Sequence, residues 1–283
     1  MTVDIHSHLV SASAGRQSRL NLCASLVGRL LGVDTVEGYR EKIVRDLSGS
    51  TVRRAVICAI ENTPLAAGNA ETLAFCRGHP GFLYGVNLNP LSKMLETDVE
   101  SAVNDGAVLV KLHPSFQRID PADDSCLPFW RMMAERGLPV LVHTGPEHML
   151  RGGSNRLNDP DRLVRAAELG VRLICAHCGC HLMLYERNGV RAWMDLVRRF
   201  PNVYGDASAF CGCVRHYWLR RLLEDPLARE RLVFGTDYPA FPSVFRRTSR
   251  NVFSEWEGFF RRCGCDDAFF ARGAKLLGLE DLP

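Results

Sequence analysis

The stretch RLICAHCGCHLML, residues 172–184, sets a short apolar run, Leu173 to Ala176, against a cluster containing His177, Cys178, Cys180 and His181. The cluster admits three readings: cysteines binding a metal, cysteines closing a disulfide, or one working histidine at the end of a buried strand. Cys-x-Cys differs from the Cys-x-x-Cys spacing of zinc knuckles and thioredoxin-like sites, so the run does not decide on its own. Its neighbours do. A short aliphatic run that stops at a polar or glycine-containing loop is the pattern of a parallel strand covered on both faces.

That pattern recurs along the chain. TVDIH (2–6), RAVICAI (54–60), FLYGVNL (82–88) and AVLVKL (107–112) precede PVLVH (139–143), RLICAH (172–177), NVYGDA (202–207) and LVFGT (232–236). Helix-like segments lie between most of them, as in AETLAFCRG (70–78), PDRLVRAAELG (160–170) and VRAWMDLVRRF (190–200). The second of these opens with proline after Asp159, which reads as its capping residue. Strand alternating with helix eight times predicts an α/β fold, a (β/α)8 TIM barrel. The competing doubly wound sheet lacks its commonest mark, a Gly-x-Gly-x-x-Gly after the first strand. With no internal repeat and no linker, residues 1–283 read as a single domain. The long connections 9–50, 144–160 and 238–265 all leave the carboxyl ends of strands, where barrel active sites form. The first is partly helical in pattern (Leu20–Leu31), suiting a lid or a simple cap.

A composition 46% hydrophobic and 24% charged belongs to an ordinary globular protein, and a net charge of +3 is too mild for nucleic acid or anionic membrane as main partner. The start shows no secretory signal and no run is long enough to span a membrane, so a cytoplasmic protein is expected. Eleven cysteines, an odd number spread over the chain, read mostly as small buried apolar residues in a reducing compartment. Cys-Gly-Cys triplets at 178–180, 211–213 and 263–265 leave a thiolate cluster as the alternative.

Histidines and acids gather at the ends of these strands. His6 and His8 close the first, Lys111 the fourth, His143 the fifth, His177 the sixth, and Asp237 follows the eighth. Residues i and i+2 of a strand share a face, so His6-x-His8 offers two imidazoles to one ion. Asp4 lies one step deeper on that face, placed to orient a ligand histidine. Imidazole plus carboxylate is the ligand mix of a catalytic zinc, manganese or iron centre.

DIHSH (4–8), VKLHP (110–114), VHTG (142–145), CAHCG (175–179), GDAS (205–208) and FGTDYP (234–239) together resemble the amidohydrolase superfamily. The likeness is to its amidohydrolase-related branch, which also holds metal-dependent decarboxylases of the aminocarboxymuconate-semialdehyde type. AKLLGL (274–279) is similar to the closing helix of the family. The resemblance implies a divalent transition metal, zinc before manganese, on His6, His8, His143 and Asp237, with His177 a further ligand or an acid–base group. In two-metal members a carboxylated lysine bridges the ions, and Lys111 stands in that place. One ion and two both remain open. Dimers are frequent among such barrels, so a homodimer is implied.

The chemistry that follows is addition of water to a carbonyl centre in a cyclic amide, lactone or ester. Asp237 moves the proton of the attacking water, and His177 or Lys111 polarises the carbonyl. Decarboxylation of an unsaturated or aromatic acid is the alternative. A non-catalytic barrel or metal-binding protein is the third reading. For a small anionic substrate, the candidate contacts are His148, Arg151, Arg215 and Arg246. Arg156, His216, Arg220, Arg221, Arg247 and Arg250 are further cations on the same loops, mostly read as solvated. His113 and Ser208 are weaker candidates.

Overall fold

The computed structural model describes residues 1–13, 36–63, 66–147, 154–210, 213–239 and 251–280. The expected lid helix Leu20–Leu31 and the candidates His148, Arg151, Arg246, Arg247 and Arg250 lie outside them.

Every expected strand forms. They are β1 (Val3–Ser7), β2 (Arg54–Cys58), β3 (Phe82–Asn87), β4 (Leu109–Leu112), β5 (Val140–His143), β6 (Leu173–Ala176), β7 (Val203–Asp206) and β8 (Leu232–Val233). They pair in chain order, each parallel to the next. The eighth leaves its ladder after two residues, yet the chain still closes on the first strand. Ile5 N donates to Phe234 O at 3.2 Å, Asp237 N to His6 O at 2.7 Å, and His8 N to Tyr238 O at 2.6 Å. The result is a nearly closed TIM barrel.

Helices cross between the strands: α1 (Val36–Ser48), α2 (Asn69–Gly78), α3 (Leu95–Asn104), α4 (Leu127–Arg136), α5 (Val164–Glu168), α6 (Val190–Arg199), α7 (Cys213–Glu224) and α8 (Pro226–Arg231). α9 (Val252–Arg262) and α10 (Asp267–Leu276) follow β8. The expected helix over 160–170 divides into a 3₁₀ turn, Pro160–Leu163, and α5. Asp159 makes no side-chain cap there; its carboxylate instead meets Arg187 at 2.9 Å. Among the described residues no helix is long and apolar enough to cross a membrane.

Lys111 on β4 reaches His6 on β1, a strand that is not its neighbour, so these side chains point into the barrel. Period-two alternation then puts Leu109 inside and Val110 and Leu112 outside. Val56, Cys58, Leu109, Leu141, Ile174, Ala176 and Val233 belong to one apolar cluster, below the polar rim. The larger cluster lies between strands and helices around Trp130, Trp193 and Trp256. Gly205 on β7 marks its closest approach: an added Cβ would lie 2.5 Å from Cys178 Sγ and 2.7 Å from the Trp193 ring. Gly205→Ala is therefore expected to destabilise the barrel by about 1–3 kcal/mol through overpacking. A thermal midpoint lowered by several degrees checks it; an unchanged midpoint contradicts it.

Candidate metal centre

His6 and His8 point the same way from the end of β1, with Nε2 atoms 3.1 Å apart. Asp237 Oδ1 lies 3.4 Å from each. The two rings stand at 78°, with centroids 5.0 Å apart. Imidazole lone pairs lie in the ring plane, so two rings set nearly at right angles can aim at one point. The opposite nitrogens are held from outside. His6 Nδ1 donates to Asp206 Oδ2 at 2.8 Å, and His8 Nδ1 to the Cys58 carbonyl at 2.7 Å. Neither partner has a proton to give while Asp206 is ionised, so both Nδ1 atoms carry hydrogen and both Nε2 atoms present bare lone pairs. Burial, opposed by the Asp237 hydrogen bond, pushes the His8 pKa down to about 4, which keeps that ring neutral at pH 7.

Asp237 sits just past the barrel seam in the left-handed region, at φ 57°. That conformation costs about 1–2 kcal/mol for a residue with a Cβ, though aspartate tolerates it better than most. Its amide bond to His6 O helps hold it. Burial alone would raise its carboxyl, but His6, the His8 hydrogen bond and His177 carry it well below the usual range. Asp4 does not orient a ligand ring. Its carboxylate accepts from His6 N (3.0 Å), Ser7 Oγ (2.6 Å), Thr236 N (3.1 Å) and Thr236 Oγ1 (2.7 Å), tying the end of β1 to the chain leaving β8. The ring of His6 is oriented by Asp206, to which the sequence reading gave no role. The signal was present, because Asp206 closes β7 as His143 closes β5.

Lys111 Nζ approaches His6 Nε2 to 2.8 Å in full burial. Burial lowers its pKa, while Cys58, Asp237, Asp206 and Glu147 pull the other way. His177 is the first residue of a 3₁₀ turn, His177–Gly179, rather than the last of β6, and has φ 58°. Its Nε2 is 3.8 Å from Asp237 Oδ2. Burial first, then the Arg215 charge, hold its pKa near 3. Arg215 is buried on α7, whereas Arg156, Arg220 and Arg221 are exposed. His216 rests against Phe259, and His181 accepts from the Trp218 indole at 3.1 Å.

His143 groups with His113 and with Glu147, a residue the sequence reading passed over, rather than with the first trio. His113 Nε2 and His143 Nε2 lie 3.2 and 3.9 Å from Glu147 Oε2. These rings are stacked at 10° and 4.0 Å, and Phe116 covers the other face of His113 at 3.8 Å. Lone pairs of parallel rings run side by side, so this trio lacks the convergence of His6, His8 and Asp237. His143 Nε2 is buried without a hydrogen-bond partner, the state expected of a nitrogen kept for a ligand.

The geometry of the first trio suits a divalent transition metal, since two unprotonated Nε2 atoms and a carboxylate are directed at one place, where Lys111 Nζ meets His6 Nε2. Residues 52–248 match the amidohydrolase family model. The chain belongs to the amidohydrolase family. No curated protein sequence matches this amidohydrolase. Among solved structures, it is similar to an uncharacterised TIM-barrel protein of Bordetella bronchiseptica: 15% identity, 98% of this chain and 97% of that one, TM-score 0.73. A second is a putative 2-pyrone-4,6-dicarboxylic acid hydrolase of Pseudomonas putida, at 18% identity, 99% and 98% coverage and TM-score 0.64. A third is 5-carboxyvanillate decarboxylase of Novosphingobium aromaticivorans, complexed with manganese and 4-hydroxy-3-methoxy-5-nitrobenzoic acid, at 12% identity, 99% and 96% coverage and TM-score 0.61. At these identities the likeness is one of fold.

The cysteines beside His177 stand apart from the donor set. Cys178 Sγ faces Asp206 O at 3.4 Å, and Cys180 Sγ faces His181 O at 3.6 Å. Burial pushes the Cys178 thiol well above its ordinary value and Cys180 to about 12. Thiolate is the reactive form. Iodoacetamide at pH 8 is therefore expected to leave both unlabelled in the native protein and to label both after denaturation. Mass mapping of native protein that finds either one alkylated contradicts this.

Proposed function

We propose that this amidohydrolase is a metal-dependent hydrolase acting on the carbonyl centre of a small anionic lactone, ester or cyclic amide. The convergence of His6 Nε2, His8 Nε2 and Asp237, with both Nδ1 hydrogens held elsewhere, carries the reading. These three residues hold one ion, with the Nε2 of His143, which makes no hydrogen bond, as a further donor. When bound, a divalent zinc or manganese ion supplies Lewis-acid charge that lowers the pKa of water from 15.7 towards about 7.

The protein's own groups divide the rest. Asp237, kept ionised among histidines, accepts the proton of the attacking water and returns it to the leaving group. Lys111 is a donor at the rim and polarises the carbonyl oxygen. His177 has the opposite polarity: a ring held neutral, with Nε2 near Asp237, has no acidic proton to deliver. That favours hydrolysis, because the decarboxylase reading needs a proton delivered to carbon. Arg215 is the buried cation beside His177 and takes the substrate's negative charge. His148, Arg151 and Arg246 are the further substrate contacts in this proposal.

Asp237→Asn is expected to lower turnover by about 10²–10⁴-fold while the circular dichroism of the barrel stays unchanged. The assay is hydrolysis of a panel of carboxylated lactones and esters by zinc- or manganese-loaded protein, alongside carbon dioxide release from aromatic acids. Full activity in the variant, or carbon dioxide release without hydrolysis, overturns the proposal.

A further inference from the structure

Asp206 is wholly buried at the end of β7, and its two oxygens serve different histidines. Oδ2 accepts the His6 Nδ1 hydrogen at 2.8 Å. Oδ1 accepts the Ser208 amide at 2.8 Å, the His177 amide at 3.2 Å and, in a short bond, the Ser208 hydroxyl. A carboxylate has no proton to give, so the single hydroxyl hydrogen of Ser208 points to Asp206. The Ser208 lone pairs are then left facing the imidazoles, 2.9 Å from His177 Nδ1 and 3.1 Å from His6 Nδ1. The Ser208 carbonyl is a second acceptor for His177 Nδ1, at 3.2 Å. His177 therefore carries its hydrogen on Nδ1 and leaves Nε2 bare on the side of Asp237.

We infer that Asp206 is a shared positioning residue, fixing the metal-facing tautomer of His6 through one oxygen and, through Ser208, the Nδ1-protonated tautomer of His177 with the other. The role given to each histidine rests on the proposed function; the tautomers rest on the hydrogen bonds alone. The backbone supports the same arrangement. His177, Cys178 and Ala209 all lie at positive φ, and the His177 amide bond to Oδ1 is one of the contacts holding that turn.

The two oxygens make the two halves separable. In Asp206→Asn one oxygen becomes an NH₂ donor. Facing Ser208 it would oppose three donors, and facing His6 only one, so it turns to His6. There it drives the His6 hydrogen onto Nε2, where a metal would bind. Ser208→Ala leaves the Asp206–His6 bond intact and removes one of the two acceptors of His177 Nδ1.

The test uses zinc titration against a chromophoric chelator and ¹⁵N-histidine NMR of the full-length protein. Asp206→Asn is expected to bind zinc about 10–100-fold more weakly. Ser208→Ala is expected to bind zinc as wild type does, yet to shift part of the His177 population from the Nδ1-protonated to the Nε2-protonated form, since only the weaker carbonyl acceptor remains, and Ser208→Thr to restore the wild-type pattern. Wild-type zinc affinity in Asp206→Asn overturns the inference, as does an unchanged His177 pattern in Ser208→Ala. If Asp206→Asn does not fold, the Ser208→Ala spectrum decides. A wild-type protein that takes up no metal overturns the proposed function, while the NMR still reads the tautomers.

Discussion

The seam between the first strand and the chain leaving the last is the constraint on which the site depends. β8 contributes only two residues to its ladder, so the closure falls to three backbone bonds and to the buried carboxylate of Asp4. The two bonds nearest the rim are made by the backbone of the proposed ligands and their neighbour: Asp237 N to His6 O, and His8 N to Tyr238 O. Ligand placement and barrel closure are thus one event. Asp4 holds backbone and hydroxyl groups on both sides of the seam, with burial raising its own carboxyl to about 6. A charge so expensive to bury is retained where an apolar residue would leave Thr236 N and His6 N without acceptors.

Around that seam, orientation is imposed from outside the donor set. Ring planes separate two histidine pairs of similar spacing: 78° between His6 and His8, 10° between His113 and His143. The acceptors behind each ring then decide which nitrogen is bare. Neither property belongs to the residue type. A histidine pair at the same separation with the wrong partners would be a stack and nothing more.

Strand ends were readable from the chain alone because period-two alternation and the barrel's single functional face reduce the problem to which residue closes each strand. That logic brought His6, His8, Lys111, His177 and Asp237 to one rim. It stopped at contacts made across loops. Glu147 lies four residues past His143, and nothing local marks it as the partner of His113. Asp159 has the look of a helix cap, but Arg187 takes its carboxylate. The edges also moved. His177 starts a left-handed turn instead of ending β6, and β8 stops early, its next glycine, Gly235, lying with its Cβ position 3.2 Å from that of His6. Such approaches are set by the packing of distant segments, and propensity carries no trace of them.

The short last strand has a consequence for how the protein is made. The proposed ligands come from the first strand and from beyond the eighth, so a chain still lacking its final strand holds His6 and His8 without the Asp237 carboxylate. A metal that binds the closed barrel more tightly than the open chain draws the folding equilibrium towards completion by mass action. It does so at a contact between chain segments that are far apart in sequence and therefore among the slowest to find one another. The tighter mode of cation uptake would then mark the closed molecules.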